Sequence, residues 1–200
     1  ILDAAGEIRV HRNLKSSPKA LLDVVAPFRD GLVVAAECTF TWYWLADLCA
    51  RDGIPFVLGR ALAMKAIHGG KANNDKIDSH KIAVLLRGGM LPQAYVYPAA
   101  MRATRDLLRR RLHFVRKRGQ LLAHIQNTIH QYNLDPFGKR IAYPANREGL
   151  LEHFPDPAVR KSVEVDLALL ERLDALIADL ELTIVRHAKR HEENEQRDAR

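Results

Sequence analysis

Up to residue 95 the apolar residues of this chain come in short blocks, and beyond it they come in helical steps. Residues 4–7, Ala-Ala-Gly-Glu, form a turn signal, and residues 8–14 alternate apolar and polar as a half-buried strand does. Ser17 followed by Pro18 is a helix start: a capping hydroxyl, then a ring that presets the first helical φ. Leu21, Leu22 and Val25 give that helix an apolar side before Pro27 stops it. Residues 31–36, Gly-Leu-Val-Val-Ala-Ala, are apolar without a break, as in a strand covered on both faces, and the run ends on an acid, Glu37. An aromatic-rich helix follows over residues 39–51, closed by Gly53, then a short strand over 54–58 and a short helix over 61–68. The loop Gly69-Gly70-Lys71-Ala72-Asn73 leads into a helix that opens near Asp75 and stops at Gly88-Gly89. Strands alternating with helices predict an α/β sheet domain over residues 1–95.

The character changes after Tyr95-Val96-Tyr97-Pro98, and residues 99–131 carry no strand signal. Leu108, Leu112, Val115, Leu122, Ile125 and Ile129 step by three, four and seven, which predicts one long amphipathic helix over residues 99–131. Asp135-Pro136-Phe137-Gly138 and Tyr143-Pro144 mark loops, and helix resumes near Ala158. Leu169, Leu173, Leu176 and Leu180 form a coiled-coil-like seam, compatible both with packing on the preceding helix and with a dimer contact. Mixed charge from Arg186 onward predicts a frayed end.

Composition adds one strong feature. The 200 residues suffice for one or two domains, and 48% hydrophobic residues with a mean hydropathy of −0.21 suit a water-soluble globular chain. No stretch approaches the 18 apolar residues of a membrane span, and no signal peptide is visible. The chain opens inside an apolar run, Ile1-Leu2, and reads as a fragment. Cys38 and Cys49 lack companions at zinc spacing and read as reduced core residues of a cytosolic protein. The net charge is +7. Arg102, Arg105, Arg109, Arg110, Arg111, Arg116, Lys117 and Arg118 stand against Asp106 alone, so this one segment carries the whole excess. Such a run suits phosphate binding, with a solvated helix face as the plainer reading. His124 and His130 read as polar surface or interhelix residues, and Trp42 and Trp44 as core aromatics.

The candidate chemistry sits in Asp75-Lys76-Ile77-Asp78. Residues three apart on a helix share a face, with Cβ atoms about 5–6 Å apart. Two carboxylates so placed repel one another unless a cation lies between them, and hard cations such as Mg²⁺ take oxygen ligands. The plainer alternative makes Asp75 a first-turn acid and Asp78 a solvated helix residue.

An acid closing a buried strand at Glu37 is followed by the Asp75/Asp78 pair and by Val96-Tyr97-Pro98. Then come Arg105-Asp106-Leu107-Leu108-Arg109-Arg110-Arg111 and Ile125-Gln126-Asn127-Thr128-Ile129-His130. In this order and spacing the chain resembles the DEDD transposases of the IS110 insertion-sequence family, relatives of the Piv DNA invertase. The resemblance implies an RNase H-like (RuvC-like) sheet domain followed by an all-helical, coiled-coil-like region. It also implies four catalytic acids, of which Glu37, Asp75 and Asp78 match the last three, as catalytic residues and metal ligands for Mg²⁺. The first acid is expected upstream, not at Asp3, which precedes a turn. Family members also carry a serine nucleophile in a carboxy-terminal domain; Ser16, Ser17, Ser79 and Ser162 stand in no such context. DNA and a structured bridge RNA are the implied partners.

Two Mg²⁺ ions about 3.5–4 Å apart would clamp the attacking and leaving oxygens of phosphoryl transfer. Without the first acid, this chain alone is expected to be inactive. The expected nucleic-acid contacts are Arg102, Arg105, Arg109, Arg110, Arg116, Lys117 and Arg118, with Arg102, Arg105, Arg109 and Arg116 roughly on one stripe. A homo-oligomer through the helical region is expected, and no membrane partner. Two alternatives stand beside a transposase or recombinase: a RuvC-like, structure-specific nuclease using the acids alone, and a non-catalytic nucleic-acid-binding and dimerisation module.

Overall fold

A computed structural model describes the backbone of residues 1–38, 41–67 and 75–198, and the side chains of 1–38, 41–64 and 77–189. The chain divides into two compact units, Ile1–Ala99 and Ala100–Arg200. Among the described residues, no helix is long and apolar enough to cross a membrane.

The first unit is mixed α/β and built on one βαβ unit. Helix α1 (Pro18–Val25) starts as its sequence dictates, with Pro18 in the first turn and the Ser17 hydroxyl accepting from the Ala20 N–H at 3.4 Å. Strand β1 (Val34–Glu37) is followed by α2 (Tyr43–Arg51) and β2 (Phe56–Gly59). The two strands pair in parallel, Val34 opposite Phe56 through Glu37 opposite Gly59. Parallel strands need a crossover, and α2 supplies it. Helices α3 (Ala61–Ile67) and α4 (Asp75–Arg87) complete the unit.

Alternation along the strands sends neighbouring side chains to opposite faces. Phe56 and Leu58 pack with Trp42 and Ala46, joined by Val96 and Tyr97. Ala35 and Val57 pack with Met64, Leu85 and Leu91, joined by Ile82 and Leu86 of α4. Both faces of a two-stranded sheet are therefore covered, which is why the strands carry few polar residues. Trp42 is a core residue, only 2% exposed. Gly59 permits the closest approach: a Cβ there would meet Leu91 Cδ1 and Met64 Sδ at 3.2 Å each. Helix α4 ends where Gly89 takes a φ of +66°, with the Gly88 N–H on the Val84 carbonyl and the Met90 N–H on the Leu85 carbonyl.

The expected strand over residues 8–14 is not formed. An antiparallel bridge joins Leu2 to Ile8, and residues 9–14 are irregular. Asp3 closes the expected turn, accepting from the Glu7 N–H at 2.9 Å and from Arg9 Nε at 2.8 Å. Beyond the Leu2–Ile8 bridge no described strand pairs with residues 9–14, and an unpaired segment forms no strand. The Glu7 amide, with help from Arg9, holds the Asp3 carboxyl below its ordinary range.

The second unit is a helical pair. Helix α5 (Ala99–Gln131) spans the expected range, and Asn133 beyond it adopts a left-handed φ of 49°. Helix α6 (Pro157–Asp198) opens with Asp156 accepting from the Ala158 and Val159 N–H groups at 2.8 and 3.1 Å. Over the stretch from Arg186 where mixed charge predicts fraying, the described backbone continues as helix α6 to Asp198.

Three side-chain pairs show that the helices run antiparallel: Arg111 with Glu181, Arg118 with Asp174, and His124 with Asp166. The apolar core is Ile125 and Ile129 of α5, Val163 and Leu170 of α6, and Ile141, Leu150 and Phe154 of the connecting segment. The leucine steps only partly match this core. Leu108 and Leu112 are 49% and 45% exposed, and Leu169 of the expected seam is 50% exposed. The α6 face turned to α5 is the neighbouring one, through Val163, Leu167 and Leu170.

The connecting segment is clamped by one carboxylate. Asp174 accepts from Arg118 Nε at 2.5 Å and from Arg147 Nη2 at 2.7 Å. Arg118 also donates to the Ala142 carbonyl, and Arg147 Nε donates to the Ile141 carbonyl at 3.0 Å. Burial alone would raise the Asp174 carboxyl, but hydrogen bonds and charge from both guanidiniums outweigh it and hold the group below its ordinary value. A carboxylate lowered in the folded state stabilises it above its unfolded pKa and loses that contribution as pH falls through the lowered value. Asp174→Asn is expected to cost about 2 kcal/mol at neutral pH, measured by urea unfolding. Acidification below about pH 4 is expected to narrow the difference between wild type and variant.

Candidate active site and nucleic-acid interface

The sheet brings one expected acid to a defined place. Glu37 is the last residue of β1, in register with Gly59 at the carboxyl end of a parallel pair. Side chains at that end of an α/β sheet border the crevices where ligands bind. The strand ends there because its partner does: Gly59 makes an isolated antiparallel bridge to Gln93, and the Arg60 N–H turns to the Pro92 carbonyl.

The other two expected acids lie on one helix. Asp75 is the first residue of α4, and its side chain lies outside the described ones. Asp78 is one turn on, 41% exposed, with Lys81 Nζ 3.8 Å from Oδ1. That distance between partly exposed groups is a weak ion pair. Helix α4 itself is held to the sheet by Ile82, Leu85 and Leu86 against Ala35 and Val57. The expected grouping of Glu37 with both aspartates depends on the Asp75 side chain. Among the described residues, no three His, Cys, Asp or Glu side chains are gathered closely enough to hold a metal ion.

The arginine run of α5 divides by burial and by partner. Arg109, Arg110, Arg116 and Lys117 are exposed, with Arg110 5.8 Å from the Phe114 ring centre, a cation–π contact. Arg105 is half-buried and lies 3.5 Å from Asp106. Arg102 is buried, at 9% exposure. Arg118 is committed to Asp174 and the Ala142 carbonyl. Of the expected contacts, Arg102 is thus buried and Arg118 engaged within the unit, while Arg109, Arg110, Arg116 and Lys117 are exposed. Helical rotation explains Arg118: it lies seven residues from both Arg111 and Ile125, so all three share the side turned to α6. Arg109 and Arg116, two residues earlier than Arg111 and Arg118, point about 160° away from that side.

Sequence reasoning missed the α6 acids that select among these cations. Asp166, Asp174 and Glu181 recur seven or eight residues apart on α6, the spacing of one helix face, which was the available signal. Asp166 takes His124 Nδ1 at 2.5 Å, which makes His124 an interhelix residue with 57% of its side chain still exposed.

This sorting has a measurable consequence. Arg118→Ala is expected to lower the urea midpoint, because it removes a charge-assisted bond from a half-buried carboxylate. Arg116→Ala is expected to change stability by no more than about 0.5 kcal/mol.

Comparison with known proteins gives one match. A family model described as Transposase, that of the DEDD transposases of IS110 insertion sequences, matches residues 1–134. No curated protein and no solved structure matches the chain. The matched region takes in β1 with Glu37, α4 with its aspartates, and the whole of α5. The chain belongs to the DEDD transposase family of the IS110 insertion sequences.

Proposed function

We propose that this insertion-sequence transposase cuts and exchanges DNA strands at an acidic, metal-dependent site formed by Glu37, Asp75 and Asp78 in a RuvC-like domain. The observation that carries this reading is that one family match covers both the acid-bearing sheet unit and the arginine helix. Its support in the fold is the position of Glu37 at the carboxyl end of a parallel strand, with α4 opening on Asp75 and packed across the same sheet.

The donor set fits a hard divalent cation, since all three side chains offer carboxylate oxygens and nothing softer. Glu37, Asp75 and Asp78 would hold Mg²⁺. When bound, the ion polarises a phosphoryl oxygen and lowers the pKa of a coordinated hydroxyl or water. The chain's own part is positional: the sheet presents Glu37 from a fixed strand end, and α4 presents two carboxylates from one helical turn.

The exposed cations of α5, Arg109, Arg110, Arg116 and Lys117, are the proposed contacts to DNA phosphates and to a structured RNA. Phosphate contacts position nucleic acid without reading its sequence, which suits arginines and lysines on an open helix. Self-association is proposed through the helical unit, where Leu108, Leu112, Leu169, Leu182 and Val185 leave apolar surface exposed. The alternative is a non-catalytic nucleic-acid-binding and dimerisation module, in which the acids are merely structural.

The experiment that separates these readings replaces Asp78 by Ala in the transposase. Strand exchange is expected to be lost with DNA affinity retained. Retained exchange would leave the binding module standing. Neutralising Arg109, Arg110, Arg116 and Lys117 together is expected to flatten the log–log salt dependence of duplex binding by about 3–4 units.

A further inference from the structure

We propose that His124, held by Asp166, is a further phosphate-binding residue of the DNA face of α5; this rests on the reading of α5 as that face. Arg110, Lys117 and His124 are spaced by sevens. Two turns of helix take up 7.2 residues, so the three lie in one line along the flank of α5, about 10.5 Å from one to the next. All three are exposed. The line continues two exposed cations with an imidazole rather than with an apolar or acidic side chain.

The imidazole is also oriented. Asp166, whose side chain is only 12% exposed, takes Nδ1 at 2.5 Å from α6, and the Thr128 hydroxyl donates to the His124 carbonyl at 2.8 Å. With Nδ1 on the carboxylate, Nε2 lies on the opposite side of the ring, and no described residue engages it. The side chain is 57% exposed, which leaves solvent access on the side of the ring away from Asp166. An imidazolium has two N–H donors. Placed between the Asp166 carboxylate and a phosphate, it donates Nδ1–H to one and Nε2–H to the other, which satisfies both anions with one fixed ring. A lysine in its place would have to be ordered from a flexible stem before making the same contact. Asp166 has a structural use of its own, since a carboxylate so little exposed needs a partner. That use alone does not require the imidazole to remain open on its far side.

The test measures binding of a 30-base-pair DNA duplex to the whole chain by fluorescence anisotropy, over a range of salt. Wild type, His124→Gln, Asp166→Asn and the double variant Arg109→Ala/Arg116→Ala are compared, with thermal melts to confirm folding. His124→Gln is expected to weaken binding about tenfold and to reduce the salt slope by about 0.9, the signature of one lost phosphate contact. Asp166→Asn removes a negative charge, so a surface acting by charge alone would bind DNA more tightly. The proposal expects the opposite, weaker binding, because the His124 ring loses the carboxylate that holds it in place. Unchanged affinity and slope for His124→Gln, or tighter binding by Asp166→Asn, would overturn it. If the arginine double variant weakens binding while His124→Gln does not, this proposal fails and the α5 interface survives. If wild type shows no salt-dependent binding, both fall. Should Asp166→Asn fail to fold, the exposed His124→Gln variant decides alone.

Discussion

Parallel pairing between β1 and β2 constrains everything around it in the first unit. Two parallel strands cannot be joined by a tight turn, so α2 must cross over, and the crossover brings Trp42 and Ala46 onto one face. The other face would then be bare, and α4 covers it with Ile82, Leu85 and Leu86. Once both faces are closed, the strand ends are where polar chemistry can remain accessible. Glu37 occupies one such end, and that placement follows from the pairing rather than from any contact the glutamate makes.

In the second unit, charge performs two jobs that the composition does not separate. A dense cationic run beside an acid-bearing helix forms ion pairs wherever the two helices face each other. Arg111 and Arg118 meet Glu181 and Asp174, and Asp174 reaches on to Arg147, so these guanidiniums fix the helices and the connecting segment together. The cations rotated away, Arg109 and Arg116 among them, are left on the open face. A net charge of +7 therefore overstates the number of side chains free to meet phosphate, because part of it is neutralised locally within the fold.

The exposed apolar residues tell a related story. The connecting segment brings Ile141, Leu150 and Phe154 onto the helical pair beside Ile125 and Ile129, while Leu108 and Leu112, farther toward the start of α5, remain uncovered. Periodicity alone treats these leucines as equivalent. Their environments differ because the covering segment reaches only one end of the pair.

Elements set by local rules could be read directly from the chain. Ser17 and Pro18 start α1, Gly88 and Gly89 end α4, and the long run of helical steps defines α5 from Ala99 to Gln131. The order of Glu37, Asp75, Asp78 and the arginine run also sufficed to place the chain in its family. The irregular course of residues 9–14 was not legible, since alternation predicts a strand while strand formation also needs a pairing partner, and no described strand pairs with them. Nor was it legible which arginines are structural. Rotation about a helix axis can be computed from spacing, but which side meets a neighbour depends on where α6 packs and on acids fifty or more residues away. Local backbone preference and hydrophobic period were thus written in the chain itself, whereas the division of its cations between strut and open surface arose from contacts that exist only after the helices have packed.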